Sequence, residues 1–423
     1  MVLMISEPKR RPEEVFTPRG EFNPRMYTPR TSLESDFRTK LRQSSHLVLY
    51  GESGCGKSWL YRSFFSQNAV MFKIVNLADA SRNGKITPEI LRAVNPAPGG
   101  QLTGYDTKKS AGGGLPGVAT AVLEQTNKYI VPADDPLRAA ISLFRAQAGA
   151  GAAFLVFDNL ERIFEKPALM EELADIITLA DDDAFLQHKV RFLIVGVPSG
   201  VREYFARTPS HRTVSNRLLE LQEVSRMSQQ EAEALVVRGF EGELEYKIEA
   251  VDRFDIIRHI EWATDRIPQA MQEYCLQLAF VGEATRTVTK VMLEQADDVW
   301  LKSSLSSAYT VVEGQLNERD TRVQRRNQVL YVLGRMDGEE FKAAQVEAKV
   351  RTLFYPNEPS ATIGGVPNAL SELALTGGAG AVLRKTPKGD AYMFLDPQYR
   401  MCIRVMLKLG ANNAVEKIAS SKI

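Results

Sequence analysis

Residues 47–60, LVLYGESGCGKSWL, decide the expected fold. Within them, GESGCGKS (51–58) matches the pattern G-x-x-x-x-G-K-[ST] at every fixed position. An apolar run typical of a buried strand precedes the octet, and the helix-like segment KSWLYRSFFS overlaps its end. Gly51 and Gly56 allow backbone angles that other residues avoid, so successive N–H groups can converge on phosphate oxygens. The stretch therefore predicts a phosphate-binding loop (P-loop) between a strand and a helix.

The side chains of this loop predict how a nucleotide and its metal would be held. Lys57 would bridge the β- and γ-phosphates of ATP, and the Ser58 hydroxyl would bind Mg²⁺. The start of the following helix adds its partial positive charge. Cys55 is expected to be a small filler of the loop rather than a nucleophile. The candidate nucleotide-binding residues here are Gly51, Glu52, Ser53, Gly54, Cys55, Gly56, Lys57, Ser58 and Trp59.

A second motif, FLVFDN (154–159), predicts the metal-binding carboxylate. Four apolar residues precede Asp158, which places this carboxylate at the carboxyl end of a strand, where it can hold the Mg²⁺ shell. Many P-loop ATPases have a glutamate next, which orients the attacking water, but this chain has Asn159. Asparagine cannot accept the proton of that water. We therefore predict slow hydrolysis, with Asn159 as a catalytic candidate and Glu161 as a substitute base.

Strands and helices alternate through the first half of the chain. The strand candidates are HLVLYG, MFKIVNLA (71–78), AAFLVFDNL (152–160) and VRFLIVGVP (190–198), and helical spacing occurs at 31–44, 136–149 and 168–182. Strands that are apolar throughout are expected in a parallel sheet covered on both faces. The fold class is therefore predicted to be α/β, with a flexible insertion at 94–117, where glycine and proline are dense.

The second half of the chain changes character. Helical periodicity dominates from about 215 to 310, and the last hundred residues then predict three short helices, a two-stranded hairpin about KTPKGD and a last helix. The latter order is that of a winged helix-turn-helix. We predict four parts: an extended Pro- and Arg-rich segment (1–30), an α/β core (31–222), an all-α lid (223–320) and a winged-helix domain (321–423).

Composition limits the class of protein. Lys and Arg total 53 against 52 for Asp and Glu, so the net charge of +1 gives no global argument for nucleic-acid or membrane binding. The three cysteines stand far apart, which fits a reducing compartment better than a disulfide framework. The N-terminus lacks the apolar core of a signal peptide, and no run of 18 uncharged apolar residues occurs. A soluble, cytoplasmic protein is expected.

The order of these motifs resembles the AAA+ and STAND class of P-loop ATPases, in particular the initiator-type (origin-recognition-like) branch with a winged helix after the lid. In that class a third strand ends in a polar residue near the γ-phosphate. The resemblance implies that VRFLIVGVPSG is this strand and Ser199 is the polar residue. It also implies that Arg217, or alternatively Arg212, reaches the nucleotide of a neighbouring subunit and stabilises charge on the transferred phosphoryl group.

Two further segments resemble the family in part. Its lid usually has a basic residue directly after a proline, whereas DRIPQ (265–269) has Arg266 before the proline and Gln269 after it. Arg266 is therefore the candidate for nucleotide contact from the lid, at a position displaced from that of the family. The N-terminal stretch NPRMYTPR resembles the segment that packs against adenine, which implies Tyr27 and Arg30 as contacts.

The predicted winged helix has two alternative roles. VPNALSELALTG would be its recognition helix, and Arg384, Lys385 and Lys388 cluster at the hairpin, where they suit phosphate contacts with DNA. However, the helix carries Glu372 and little positive charge, and winged helices also dock proteins. The predicted winged helix therefore either contacts DNA or docks a protein.

These features predict an ATP-binding switch that forms homo-oligomers and couples ATP binding and slow hydrolysis to the assembly of DNA or protein complexes. A mobile-element, replication or anti-phage defence context fits, with a separate effector or sensor protein as partner. One alternative is a DNA-binding adaptor in which ATP is largely structural. Another is a metabolic or nucleotide kinase, for which the lid and winged helix have no evident use.

Overall fold

The computed structural model of the protein describes residues 9–95, 135–196, 204–205, 212–316, 324–358, 363–375, 380–386, 388–410 and 414–418. It divides into two compact units. The core unit is Pro29–Ser225, and the helical unit combines the N-terminal segment through Thr28 with the chain from Arg226 onward. The insertion predicted at 94–117 lies outside the described residues from residue 96 on.

The core unit is built on a parallel sheet. Its strands are β1 (His46–Tyr50), β2 (Met71–Asn76), β3 (Ala153–Asp158), β4 (Val190–Gly196) and β5 (Leu218–Glu220). They lie in the order β2-β3-β4-β1-β5, and each neighbouring pair is parallel. After a short α1 in the helical unit (Pro12–Val15), the helices of the core unit are α2 (Thr31–Leu41), α3 (Lys57–Gln67), α4 (Leu77–Asn83), α5 (Thr87–Val94), α6 (Pro136–Ala148), α7 (Pro167–Leu179), α8 (Asp183–Leu186) and α9 (Arg212–Ser215).

Helices cover both faces of this sheet, as the apolar strands predict. Successive side chains of a strand point to opposite faces. In β1, Leu47 and Leu49 join an apolar cluster with α2 and α3, whereas Val48 joins a second cluster with α4, α5, α6 and α7. In β3, Phe154 belongs to the first cluster and Leu155 to the second. The α/β prediction is therefore confirmed.

The edge strand β5 was not predicted. It has only three residues, Leu218–Glu220, so it offers too few positions for an alternating pattern. Its pairing with β1, which aligns His46 with Leu218, makes it part of the sheet. Long-range pairing, and not local preference, sets this strand.

The helical unit continues with α10 (Gln229–Val237), a π-helical turn (Arg238–Glu243), α11 (Arg253–Ala263), α12 (Pro268–Val281), α13 (Met292–Lys302) and α14 (Ser306–Gln315). Two two-residue strands, β6 (Lys247–Ile248) and β7 (Thr287–Val288), pair in parallel within it. Among the described residues, no helix combines the length and the apolar character that crossing a membrane requires. The predicted cytoplasmic location stays a prediction.

The C-terminal elements are α15 (Arg325–Gly334), β8 (Glu340–Phe341), α16 (Ala343–Phe354), α17 (Val366–Leu373), β9 (Leu383–Lys385), β10 (Tyr392–Phe394), α18 (Pro397–Met406), β11 (Leu407–Leu409) and β12 (Val415–Lys417). The predicted helices and hairpin are present, and β8, β11 and β12 are strands that were not predicted: the last helix ends at Met406, and Leu407–Leu409, predicted as its continuation, pairs with β12. Strands β8, β10 and β9 form an antiparallel sheet in that order.

His46, the first residue of β1, makes the stability of the core unit sensitive to acid. Its side chain is buried, Nδ1 accepts a hydrogen bond from the Phe192 amide at 3.1 Å, and the two rings stack at 4.5 Å between centroids. Burial lowers the pKa of His46 to about 4, against the opposing charge of Asp181. The folded protein thus binds fewer protons than the unfolded chain between that pKa and the ordinary value near 6.5, so stability falls as pH falls through this range.

We expect His46 to reduce the free energy of unfolding by about 2–3 kcal/mol between pH 8 and pH 4.5. Urea unfolding of the wild type and of His46→Asn at both pH values measures this, because asparagine keeps an acceptor for the Phe192 amide but does not titrate. The pH-dependent loss should be smaller in the variant by this amount. An equal loss in both proteins would contradict the prediction.

Candidate functional site

The predicted P-loop follows β1 and leads directly into α3. Gly51, Gly54 and Gly56 have φ angles of 150°, 78° and 91°, all in the region that favours glycine. A Cβ atom on Gly51 would lie 2.3 Å from the carbonyl oxygen of Val224, so no larger residue fits beside that backbone. Gly56 is the N-cap of α3, whose first residue is Lys57. The backbone of the octet therefore has the form that its glycines predict.

The Lys57 amine binds the backbone at the start of its own loop. Its Nζ donates to the carbonyl oxygens of Gly51 and Glu52, at 2.8 and 2.9 Å. Burial lowers the pKa of Lys57, while neighbouring carboxylates, including Glu161 and Asp158, oppose that shift. The amine thus lies inside the loop, at the N-terminus of α3, where an anion is favoured. Ser58 and Trp59 follow in the first turn of α3 and are half-buried.

Asp158 ends β3, as predicted, and contacts α3. Its Oδ2 accepts a hydrogen bond from the Tyr61 hydroxyl at 3.2 Å, and its Oδ1 accepts one from the Asn159 amide at 2.9 Å. Burial raises the pKa of Asp158, and both hydrogen bonds counteract this. Tyr61 was missed in the sequence, although its position four residues after Lys57 places both on one side of α3.

Asn159 adopts a left-handed conformation with φ of 65°, which asparagine tolerates better than most residues. Its side-chain amide donates to Oδ1 of Asn76 at 2.9 Å. Asn76 is the last residue of β2, pairs with Asp158 across the sheet, and also accepts from the Ala78 amide at the start of α4. The structure thus ties Asn159 to a polar neighbour that the sequence did not single out. The signal available in the sequence was a polar residue near the end of the predicted strand 71–78.

Arg30 lies beside the P-loop. Its guanidinium is buried and donates to the carbonyl oxygen of Ser225 at 2.9 Å and to that of Cys55 at 3.5 Å. Cys55 is itself buried, in agreement with a filling role. Tyr27 belongs to the helical unit, where it is buried and its carbonyl oxygen accepts from Arg238 at 2.7 Å. Within the core unit, then, the structure brings Arg30 to the loop.

Arg217 does not lie at the edge of the sheet that carries the P-loop and Asp158. Its carbonyl oxygen accepts from the His46 amide at the amino end of β1, roughly 13 Å of strand away from Tyr50. Its guanidinium binds Asp181 and the carbonyl oxygen of Thr213. The alternate Arg212 begins α9, and its side chain is outside the described part of the chain, as is Ser199.

The remaining candidates lie in the helical unit. Arg266 has a φ of 54°, and its Nε donates to the carbonyl oxygen of Met227 at 3.0 Å. Gln269 donates to Glu273 at 3.2 Å. Arg384, Lys385 and Lys388 are exposed at the β9–β10 hairpin, where the alternation of β9 directs Arg384 and Lys385 to opposite faces.

The oxygen donors of the core unit fit a magnesium ion shared with phosphate. Mg²⁺ in phosphate-binding sites usually takes one or two carboxylates, with phosphate oxygens and water completing its shell. Asp158 supplies a carboxylate, and the helix that contacts it carries the Ser58 hydroxyl in its first turn. In the described ranges, no group of three or more His, Cys, Asp or Glu side chains could hold a metal ion.

Comparisons with known proteins agree with this geometry. The profile of the family described as AAA domain matches residues 40–205. The structure of the Walker-type ATPase PABY2304 of Pyrococcus abyssi is similar, with a TM-score of 0.51 at 15% identity, and the match covers 92% of this chain and 99% of that chain. A comparison with curated protein sequences finds no match.

Two archaeal structures are matched over similar lengths. Cdc6p from Pyrobaculum aerophilum has a TM-score of 0.43 at 14% identity, and the match covers 93% of this chain and 97% of that chain. ORC1 of Aeropyrum pernix, in complex with DNA, has a TM-score of 0.45 at 13% identity, with 93% and 95% covered. The AAA-domain match, the first structural likeness and the parallel sheet give the core unit the α/β fold of a P-loop NTPase, which implies nucleotide binding, usually with Mg²⁺.

Proposed function

We propose that the core unit binds ATP with Mg²⁺ and hydrolyses it slowly, as a switch that acts on a DNA or protein complex. One observation carries this proposal: a single loop combines the Lys57 amine, three glycines with left-handed φ angles and the N-terminus of α3. The same helix, α3, also contacts Asp158. That combination favours a polyphosphate ligand with a metal.

On ligand binding, Lys57 would exchange its bonds to the Gly51 and Glu52 carbonyls for bonds to phosphate oxygens. Loop N–H groups would hold the same phosphates. Arg30 would hold the loop in place through its hydrogen bond to the carbonyl oxygen of Cys55. Ser58 and Asp158 would hold the metal. Mg²⁺ bound there would neutralise charge on the phosphates.

Slow turnover is supported by the surroundings of Asn159. Its amide is engaged with Asn76, and an amide cannot take a proton from water. Glu161 lies in the next helical turn, is exposed, and acts electrostatically on both Lys57 and Asp158. It is the carboxylate that we assign to the activation of water.

Arg217 would take part in hydrolysis only when the protein forms oligomers. Since this arginine lies at the amino ends of the strands, it would act on the nucleotide of a neighbouring subunit and not on that of its own chain. Its bonds to Asp181 and the Thr213 carbonyl would fix its direction.

We expect Arg217→Ala to lower the rate of ATP hydrolysis at least about tenfold while ATP affinity changes less than threefold, because a finger arginine acts mainly on the transition state. Phosphate release and equilibrium ATP binding measure the two effects at protein concentrations at which the wild type oligomerises. Asp181→Ala is the matched control: it removes the partner but keeps the guanidinium, and its effect should be smaller. Unchanged hydrolysis in Arg217→Ala would remove this residue from its role.

A DNA-binding adaptor with largely structural ATP is the second candidate. It is favoured by the exposed Arg384, Lys385 and Lys388, if the C-terminal elements act as a winged helix. On the predicted recognition helix α17, however, the buried side is apolar and the exposed Glu372 pairs with Arg326. DNA contact would therefore come from the hairpin and the phosphate backbone.

Turnover distinguishes the two candidates. Phosphate release by the full chain is measured with ATP alone and with double-stranded DNA present. Slow turnover that rises with oligomer formation or DNA supports the switch. ATP binding without any turnover, together with salt-dependent DNA binding, supports the adaptor, and transfer of phosphate to a small acceptor would contradict both. The mobile-element, replication and defence contexts, and a separate effector or sensor protein, stay predictions.

A further inference from the structure

Tyr61 is a buried tyrosine whose hydroxyl meets an ionisable group of the candidate site. Tyr61 belongs to α3, and its side chain is fully buried. The ring packs edge-on against Phe72 of β2, with 6.0 Å between centroids. The ring of Phe65 also packs against the Tyr61 ring, with 6.2 Å between centroids. A buried phenolic hydroxyl needs a hydrogen-bond partner, and this one donates to Oδ2 of Asp158.

This bond connects the two motifs of the site. Tyr61 lies four residues after Lys57 and three after Ser58, so all three share one side of α3. Asp158 is 97 residues away in sequence, at the end of β3. A carboxylate offers about four lone-pair directions. The Tyr61 hydroxyl and the Asn159 amide take one on each oxygen, which leaves acceptor capacity for a metal.

We propose that Tyr61 is a positioning residue for Mg²⁺: its hydroxyl holds the Asp158 carboxylate toward α3, the helix whose first turn carries Lys57 and Ser58. The inference rests on the proposed function, because it concerns the metal of the same ATP site. A carboxylate held in one orientation loses less conformational freedom when it binds the metal. Without the hydroxyl, the Asn159 amide alone would hold the carboxylate, through Oδ1, and Oδ2 would lose its hydrogen-bond partner.

A purely structural role predicts a different result. If Tyr61 only fills the space between α3 and β2, phenylalanine replaces it at the cost of one hydrogen bond in stability, and metal binding is unaffected. The protein contains a matched control for that cost. Tyr274 of the helical unit is also fully buried, and its hydroxyl donates to Asp297 at 2.7 Å.

The test is the Mg²⁺ dependence of ATP binding to the full chain, followed by equilibrium fluorescence with a fluorescent ATP analogue. We expect Tyr61→Phe to raise the half-saturating Mg²⁺ concentration about tenfold. Affinity for the analogue in the presence of a chelator should stay within about twofold of the wild type. Tyr274→Phe should leave both quantities unchanged. Melting temperatures of the two variants compare their losses of stability.

A double-variant cycle guards against an indirect effect. In an Asp158→Ala background, Tyr61→Phe should have no further effect on the Mg²⁺ dependence, because the group it positions is gone. An unchanged Mg²⁺ dependence in Tyr61→Phe would overturn the inference while leaving the proposed function intact. Failure of the wild type to bind the analogue at any Mg²⁺ concentration would overturn the proposed function and the inference together.

Discussion

Lys57→Ala is expected to weaken ATP binding about tenfold to a hundredfold and to reduce hydrolysis at least about a hundredfold. The amine sits at the centre of the loop and is its one lysine, so its loss removes charge-assisted hydrogen bonds to the phosphates in both the bound and the transition state. Calorimetric titration with ATP in the presence of Mg²⁺ measures the first effect, and phosphate release measures the second.

The control for this variant is Lys166→Ala. The Lys166 amine binds the carbonyl and the hydroxyl of Ser81, so it engages protein oxygens as Lys57 does but outside the P-loop. It should leave ATP binding and hydrolysis unchanged. Equal ATP affinity in the wild type and Lys57→Ala would show that the loop does not hold the nucleotide.

Asp265→Ala is expected to lower the free energy of unfolding of the helical unit by about 3–5 kcal/mol. Asp265 lies in the turn between α11 and α12 and binds three arginines: Arg400 at 3.0 Å, Arg404 at 3.1 Å, and Arg226. Arg400 and Arg404 are 4% and 7% exposed. Removing the carboxylate leaves these buried cations without their counter-charge. Urea unfolding of the variant and the wild type measures the effect.

An exposed ion pair of the same unit provides the comparison. Asp255 pairs with Lys290 at 2.6 Å, but the two side chains are 48% and 60% exposed. Asp255→Ala should therefore cost less than about 1 kcal/mol. If Asp265→Ala costs no more than Asp255→Ala, the buried cluster does not stabilise the unit. A loss of about 3–5 kcal/mol in the free energy of unfolding would show that Asp265 joins the α11–α12 turn to α18, which carries Arg400 and Arg404.

The parts of the site that were predictable lie in consecutive residues. GESGCGKS specifies glycine conformations, a helix start and a lysine within eight positions, and FLVFD specifies a strand with a carboxylate at its end. Local backbone preference and apolar patterning are sufficient for both. The same reasoning predicted four of the five strands of the core sheet.

The partners of these motifs depend on packing between distant segments. The bond from Tyr61 to Asp158 requires that α3 lie over β3, and the bond from Asn159 to Asn76 requires that β2 pair with β3. No local pattern specifies either arrangement. The sequence likewise singled out Arg266, whereas the neighbouring Asp265 makes the larger set of buried contacts, with residues up to 139 positions away in the case of Arg404.

The decisive measurement for ATP binding at the P-loop is a calorimetric titration of the full-length wild type and Lys57→Ala with ATP and Mg²⁺, followed by phosphate release in the same samples. We expect about one ATP per wild-type chain, slow phosphate release, and loss of most of the affinity in Lys57→Ala. Absence of ATP binding in the wild type, or equal binding in the two proteins, would contradict this expectation.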